Sequence, residues 1–442
     1  MSGNSPSDLS FQVEPGGCLQ GRVRVPGDKS ISHRSVMLGA IAEGSTEVRG
    51  FLEGADALAT LAAFRAMGVE AEGPEGGRLT IHGRGLHGLR APRSDLDLGN
   101  SGTSMRLLCG LLAGQAFDTV LSGDASLQRR PMRRVTEPLA RMGALIQTSD
   151  SGTAPLRVLG GQPLRGISYQ MPVASAQVKS ALLLAGLYAE GETRVVEPAP
   201  TRDHTERMLQ AMGWEVVGEG AAVRLRGGGR LQGRALDVPA DISSAAFFLV
   251  GASIAPGSDL LLEGVGMNPT RAGVVEILQA MGARIDVLEP RQLGGEPVAD
   301  LRVRHAPLTG IQIPERLVPL AIDEFPALLV AAACAEGTTV LSGAGELRVK
   351  ESDRIAVMAE GLQALGAQAE VTADGMRVEG GRFTGGGVDA HGDHRIAMAF
   401  AMAALAAQAP VTVADCANVA TSFPGFADLA AGAGLGIREL RQ

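Results

Sequence analysis

A helix-like stretch that stops at Met-Gly or Leu-Gly recurs along these 442 residues, at Met67-Gly68, Met142-Gly143, Met212-Gly213, Met281-Gly282, Leu365-Gly366 and Leu435-Gly436. The glycines lie 75, 70, 69, 84 and 70 residues apart, and self-similarity at a near-constant period means that one supersecondary unit is used repeatedly. Between them runs a second signal, in which an Ala-rich run meets a Gly or Pro turn and then a β-prone segment, as at Ala42-Glu43-Gly44, Ala189-Glu190-Gly191, Ala255-Pro256-Gly257 and Ala335-Glu336-Gly337. Six units account for the chain. A chain of this length divides into about two domains, so three units per domain are expected.

Each unit holds one helix that is apolar or small on nearly every face and one that is amphipathic, each leading into a β-rich run. Residues 31–42 and 325–335 are of the first kind. Residues 205–212 are of the second, with Glu206, Arg207 and Gln210 set against Met208, Leu209 and Met212. A helix without a polar face has to be covered all round. Glycine after the amphipathic helix suits a left-handed C-terminal cap, and the Val/Ile/Leu-rich segments 194–196 and 338–341 read as strands. The expected fold class is α/β, repeated, with some helices inside. A boundary is expected near Asp237-Val238-Pro239-Ala240, and the spacing leaves open whether residues 1–26 belong with the second half.

Composition removes several function classes. Lys+Arg total 40 against 48 Asp+Glu, and one Trp and two Tyr cannot supply the stacking platforms of a single-strand binder, so no nucleic-acid partner is expected. Cys18, Cys109, Cys334 and Cys416 lie far apart with no CxxC spacing, which argues against a disulfide scaffold and a zinc site. Met1 to Ser10 lacks the basic and apolar stretches of a signal peptide. The apolar runs 242–256 and 396–410 are interrupted by Gly or Pro or fall short of the roughly 20 residues of a membrane span. A cytoplasmic protein with reduced thiols and no membrane partner is expected.

Of the 40 basic residues only Lys29, Lys179 and Lys350 are lysine; the other 37 are arginine. A chain so biased has replaced lysine wherever the two are interchangeable. The survivors mark places that want a compact point charge or an ammonium able to move a proton.

Several buried helices open with polar clusters that a core helix does not need. Pro26-Gly27-Asp28-Lys29-Ser30-Ile31-Ser32-His33-Arg34 places an ammonium, a hydroxyl and a guanidinium at a helix start, a phosphate-binding arrangement because free N–H groups and cations both favour an anion. An ordinary Ser N-cap with a solvated Arg is the other reading. Leu98-Gly99-Asn100-Ser101-Gly102-Thr103-Ser104-Met105-Arg106 repeats the form, with small residues that let backbone approach a ligand. In Gln128-Arg129-Arg130-Pro131-Met132-Arg133-Arg134 one arginine is expected to point inward from a solvated charge run. Ser175 can cap the helix that continues to Leu187, Gln177 offers a donor and an acceptor, and Lys179 reads as a buried ion-pair partner. Thr201-Arg202-Asp203-His204-Thr205 offers either an anion contact or a charged capping box.

The second half carries what reads as proton-transfer equipment. Asp323 stands just ahead of a helix whose first turn can hold Pro326. Residues 347–354 pack Arg348, Lys350, Glu351, Asp353 and Arg354 together, and a carboxylate near cations stays ionised and can act as a base. A surface ion-pair network is the bland alternative. His391-Gly392-Asp393-His394-Arg395 has no third element for a metal, so Asp393 is read as an N-cap for the helix through Met402, with Arg395 towards the anion side.

Taken in order, these motifs resemble the 5-enolpyruvylshikimate-3-phosphate synthase family, the 3-phosphoshikimate 1-carboxyvinyltransferases, over nearly the whole chain. The resemblance implies two similar domains, each of three βαβαββ repeats around buried helices, an inside-out α/β barrel. It implies that residues 1–26 join 239–442 in one domain, that 27–238 form the other, and that the active site lies in the cleft between them. It further implies transfer of the enolpyruvyl group of phosphoenolpyruvate to the 5-hydroxyl of shikimate 3-phosphate, through a tetrahedral adduct that loses phosphate, on the route to chorismate and the aromatic amino acids. No metal or organic cofactor is implied, and a monomer is expected. Lys29, Gly102, Arg130, Gln177, Arg354 and Arg395 match positions around phosphoenolpyruvate. Lys29, Ser30, Arg34, Ser175, Ala176, Gln177, Arg202, Asp323 and Lys350 match those around shikimate 3-phosphate. Asp323 would take the hydroxyl proton, and Glu351, with Lys29, would serve protonation of the vinyl carbon.

Ser175-Ala176-Gln177, Arg202-Asp203-His204 and Thr421-Ser422-Phe423-Pro424 resemble the second, bacterial branch of the family. Gly102 keeps the small residue associated with sensitivity to the herbicide glyphosate. Two other functions compete: the sister enolpyruvyl transfer to UDP-N-acetylglucosamine, and a non-catalytic anion-binding repeat protein. The sister family places a cysteine where this chain has Ala125, five residues before Arg130. A scaffold has no use for Asp323 and Glu351 beside Lys350.

Overall fold

Helices come in six pairs: α1 (Lys29–Ala40) with α2 (Ala55–Ala66), α3 (Gly102–Ala113) with α4 (Arg133–Arg141), α5 (Ala176–Gly186) with α6 (His204–Ala211), α7 (Ile242–Ile254) with α8 (Gly273–Ala280), α9 (Phe325–Ala333) with α10 (Arg354–Ala364), and α11 (His394–Ala403) with α12 (Phe426–Ala433). In this computed structural model, which describes residues 9–441, the first helix of each pair is buried along nearly its whole length. The part of the leading segment before Leu9, where no signal is expected, lies outside the described residues. Every residue of α7, α9 and α11 is buried, as their composition requires: their polar side chains are three serines in α7 and the His394-Arg395 pair at the start of α11.

The second helix of each pair has one apolar face and one wet one. In α2, Ala57, Leu61 and Phe64 face inward while Leu58, Ala62 and Arg65 do not. Each pair belongs to a sheet with the same strand pattern. In the third repeat Ser168–Gln170 lies parallel to Glu192–Val196, which pairs antiparallel with Ala222–Arg226, and that strand pairs antiparallel with Val216–Glu219. Chain order is therefore βαβαββ. The second repeat follows it with Leu96–Asp97, Thr119–Ser122, Leu145–Gln147 and Leu156–Leu159. In the fifth repeat the first strand is reduced to isolated parallel bridges, Thr309 with Glu336 and Gln312 with Val340.

Three sheets borrow a strand from elsewhere in the chain. Ala235–Asp237 comes back to lie parallel to Ser45–Arg49 in the first repeat. Gln20–Val23 lies parallel to Asp259–Gly266 in the fourth. Leu9–Val13 sits between Val411–Ala414 and Ile437–Arg441 in the sixth. The chain falls into two compact units, one running to Pro26 and taking up again with Pro239–Gln292 and from Pro297 onward, the other made of Gly27–Val238 with Leu293–Glu296. Each unit has its own apolar core.

Helix contact inside the second of these units depends on one glycine. At Gly110 of α3 an added Cβ would fall on the backbone of Ala181 in α5, so the two helices touch main chain to main chain. Gly110→Ala is expected to cost about 1–3 kcal/mol or more, because a helix backbone cannot move aside as a side-chain tip can. Gly432→Ala in α12, where an added Cβ meets nothing within 4 Å, is expected to gain about 0.5–1 kcal/mol from helix propensity. Equal denaturation midpoints for the two variants would contradict the close crossing.

Candidate active site

The first turns of α1, α3 and α5 are tied to one another by side chains. His33 Nδ1 on α1 lies 2.7 Å from Thr60 Oγ1 of α2 and 3.2 Å from Ser104 Oγ of α3, and Thr60 and Ser104 hydroxyls are 2.5 Å apart. Arg34 donates from Nη2 to Ser180 Oγ of α5 at 2.8 Å, from Nε to Thr205 Oγ1 of α6 at 2.7 Å and from Nη1 to the Ser30 carbonyl at 2.9 Å. Arg106 Nη1 of α3 donates to Gln177 Oε1 of α5 at 2.6 Å, and Gln177 Nε2 returns a bond to Thr103 Oγ1 at 3.1 Å. Three helix N-termini, each with a positive end, therefore converge. Asp28, Ser101 and Ser175 cap them, accepting from the backbone N–H of Ile31, Ser104 and Val178.

Cations gather at this end. The Lys29 ammonium pairs with Asp56 at the start of α2. Arg130 is buried and donates from Nη2 to Asn100 Oδ1 at 2.6 Å. Gly102 opens α3 beside it, and a methyl group there would come 2.8 Å from Arg130 Nη1 and 3.1 Å from Arg106 Nη1. Four cations, Lys29, Arg34, Arg106 and Arg130, gather here, with the carboxylates of Asp28, Asp56 and Asp124 among them. Cations beside three helix N-termini suit a multiply charged anion. Ser30, Ala176 and Ser175 lie at the same helix starts, and Arg202 is half-buried two residues ahead of α6.

The other unit carries a second cluster, built round a guanidinium. Arg354 is 1% exposed; its Nε donates to Asp393 Oδ2 at 2.8 Å, its Nη2 to Glu351 Oε2 at 2.7 Å, and its Nη1 lies 3.4 Å from Asp323 Oδ1. Burial works against its charge, but Asp393, Glu351 and Asp323 outweigh that and hold the guanidinium above its ordinary pKa. Lys350 Nζ reaches the same Asp323 Oδ1 at 3.5 Å and Glu346 at 3.9 Å. Arg395 Nη1 donates to the Asp323 carbonyl at 3.1 Å, and Asp393 caps α11. Three cations here meet four carboxylates, so this cluster sets proton acceptors beside its positive charge.

On contact with the fold the bland alternatives give way and one sequence expectation changes. The cap of α1 is Asp28, not a serine, and Arg34 is buried instead of solvated. Glu206, read as part of the wet face of α6, is buried and pairs with Lys179 at 2.7 Å. Residues 347–354 do not form a surface network, since Arg354 is enclosed. Arg130 is the inward arginine of its run, as expected, with Arg134 half-buried beside it. Lys179 is a buried ion-pair partner, Ser175 and Asp393 are N-caps, and Pro326 lies in the first turn of α9, all as the sequence indicates.

Other participants went unread. Asp56 carries no local signal, being one acid in an Ala-rich helix start. Arg271 is buried and donates to Asp241 Oδ1 at 3.0 Å and Ser243 Oγ at 2.6 Å, with Glu324 3.7 Å away next to Asp323. Asp203, His204 and Glu296 also come close together, His204 Nδ1 lying 2.8 Å from Glu296 Oε1. Arg207 already bonds Asp203 at 2.9 Å and stands 4.0 Å from Glu296, so a cation serves those carboxylates.

His33 makes the first cluster sensitive to acid. Burial, then Lys29 and Arg34, hold its imidazole well below the ordinary value, Asp28 opposing them only in part. The folded chain keeps it neutral while the unfolded chain takes up a proton below pH ~6.5, so this contribution is whole above that pH and is withdrawn as pH falls. His33→Gln is expected to flatten the stability curve between about pH 5 and 6.5, by up to about 1.4 kcal/mol per pH unit. Parallel curves for parent and variant would mean that the folded state binds the proton too.

Comparison with known proteins covers nearly the full length of the chain. Residues 13–429 match the family described as EPSP synthase (3-phosphoshikimate 1-carboxyvinyltransferase). The chain is 70% identical over 430 residues to the 3-phosphoshikimate 1-carboxyvinyltransferase of Alkalilimnicola ehrlichii, covering 97% of this chain and 96% of the relative. The enzyme of that name from Methylococcus capsulatus is 68% identical over 430 residues, covering 97% and 98%. A solved structure of EPSP synthase from Acinetobacter baumannii superposes with a TM-score of 0.88 at 58% identity, covering 98% of this chain and all of that one. The repeated βαβαββ fold, the two clusters of charged side chains and these relatives together make this chain a member of the EPSP synthase family.

Proposed function

We propose that the family's reaction, transfer of the enolpyruvyl group from phosphoenolpyruvate to the 5-hydroxyl of shikimate 3-phosphate, draws on the side chains of both clusters. The observation that carries this reading is the sharing of Asp323 by Lys350 and Arg354, with Glu351 on the same guanidinium. One carboxylate can then accept a hydroxyl proton while another acid stands a single side chain away. An anion-binding scaffold would have no need of either.

The roles are those that the resemblance to the family implies. Lys29, Arg130, Arg354, Arg395 and Gln177 hold the phosphate and carboxylate of phosphoenolpyruvate, with Gly102 leaving room for them. Ser30, Arg34, Ser175, Ala176, Arg202 and Lys350 surround shikimate 3-phosphate. Asp323 takes the proton of the 5-hydroxyl as its oxygen bonds to C2 of phosphoenolpyruvate, and Glu351, with Lys29, supplies the proton that turns the vinyl CH2 into a methyl. The tetrahedral adduct then loses phosphate and a methyl proton, which restores the double bond. Cations fixed in advance lower the barrier by meeting charge as it develops. The enzyme works as a cytoplasmic monomer in this reading.

Phosphate release should require both substrates together, and UDP-N-acetylglucosamine should not replace shikimate 3-phosphate. Turnover of the nucleotide sugar in its place would reverse the assignment. Asp323→Ala should bind both ligands yet turn over about two to four decades more slowly. Unchanged turnover would remove Asp323 as the base.

Gly102→Ala brings a methyl group to 2.8 Å from Arg130 Nη1. It should raise KM for phosphoenolpyruvate and weaken inhibition by glyphosate, which is expected to compete with phosphoenolpyruvate in the parent. A parent enzyme insensitive to glyphosate would contradict this account of Gly102.

A further inference from the structure

All three lysines sit against carboxylates, with side chains 15%, 1% and 21% exposed for Lys29, Lys179 and Lys350. Two of them enter the roles above. Lys179, the most enclosed, does not. It stands on α5 one turn beyond Ser175, and its Nζ donates to Glu206 Oε1 at 2.7 Å, Glu197 Oε2 at 2.9 Å and the Thr201 carbonyl at 3.4 Å. Three acceptors in three directions match the three N–H bonds of an ammonium. A guanidinium presents its donors in one plane, which explains why an arginine-rich chain keeps lysine here. Burial works against the charge, but the two carboxylates outweigh it and hold the amine above its ordinary pKa.

What the ammonium pins is the segment from Glu197 to Glu206, between the strand Glu192–Val196 and α6. The Thr201 hydroxyl is also bonded to Glu197, so Thr201 is held at both its side chain and its carbonyl. Arg202 is the next residue. On the α5 side, Thr205 Oγ1 donates to Ser180 Oγ at 2.8 Å and both receive bonds from Arg34. Lys179 thus joins the two elements that carry Ser175 and Arg202, and touches none of the groups assigned to phosphoenolpyruvate.

We propose that Lys179 is a positioning residue for the acceptor substrate: it locks the Thr201-Arg202 backbone to α5, so that Arg202 and Ser175 meet shikimate 3-phosphate as one prearranged surface. This rests on the reading above that Arg202 and Ser175 contact the acceptor. A shift of about 1 Å in such a surface is enough to cost up to a hundredfold.

Steady-state kinetics with each substrate varied, on Lys179→Arg, Lys179→Met with Glu206→Gln, Arg202→Gln, and Lys179→Arg with Arg202→Gln, tests it. The Met/Gln pair removes one positive and one negative charge together, so it remains informative if the guanidinium cannot be housed. Fluorescence of Trp214, the single Trp, reports folding of the same unit. Both Lys179 variants should raise KM for shikimate 3-phosphate about ten- to a hundredfold, with KM for phosphoenolpyruvate within about twofold and unfolding still cooperative. Adding Lys179→Arg to Arg202→Gln should bring little further rise, since both act through one contact. Wild-type KM values in both Lys179 variants, an equal rise for both substrates, or a fall in kcat alone that tracks the folded fraction would each overturn the proposal. If Arg202→Gln leaves KM for shikimate 3-phosphate unchanged, the acceptor reading of Arg202 fails first and the positioning role falls with it. If Arg202→Gln raises KM and the Lys179 variants do not, only the positioning role fails.

Discussion

A helix with no polar face has nowhere to put polar chemistry except at its ends. Six such helices lie inside the two units, and many side chains of the two charged clusters sit at their ends, while Arg130, Lys350 and Glu351 come from connecting segments and Asp56 and Arg354 from the starts of α2 and α10. Along α7 or α9 a charge would have to be buried among Phe, Leu and Ala, at a cost of several kcal/mol for an unpaired ion. At the N-terminus the backbone offers free N–H groups and a cap, so Asp28, Ser101, Ser175 and Asp393 sit there, and Lys29, Arg34, Arg106 and Arg395 follow within the first turn or two. The repeat then multiplies the device: three parallel ends in one unit make an electropositive surface that a single helix could not.

The two clusters differ in kind. Around α1, α3 and α5 the cations outnumber the carboxylates, and several are held by neutral hydroxyl and amide groups, Arg34 by Ser180 and Thr205, Arg130 by Asn100, Arg106 by Gln177. A neutral partner orients a guanidinium through hydrogen bonds without itself adding negative charge, which suits a surface that must meet an anion. Around Arg354 the partners are carboxylates, which balance its charge and offer proton acceptors instead. A reaction that must hold two phosphorylated molecules and also move a proton to and from carbon draws on both kinds of surface.

Much of this was legible beforehand because it is local. Buried helices announce themselves by lacking a polar face, caps by an Asp or Ser before the apolar run, and Lys179 by being one of three lysines among 37 arginines. What escaped depends on partners far away in sequence. Glu206 looks like a wet-face residue until α5 brings Lys179 against it, and Asp56 gains meaning only when α1 delivers Lys29. Arg271 and Glu324 belong to the same class, 53 positions apart and joined through Ser243. Periodicity sees one element at a time; pairing between elements leaves no mark on it.

The borrowed strands carry a consequence for biogenesis. Ala235–Asp237 completes the sheet of Ser45–Arg49, so the unit built from Gly27–Val238 has nearly all its own strands once that stretch has left the ribosome. The other unit cannot close so early: Leu9–Val13 must wait for Ile437–Arg441, more than 400 residues further along the chain, before it has a neighbour on each side. Synthesis from one end therefore delivers the electropositive half as a finished body while the half bearing Asp323 and Arg354 is still open, and the nascent N-terminal strand spends translation as an unpaired edge.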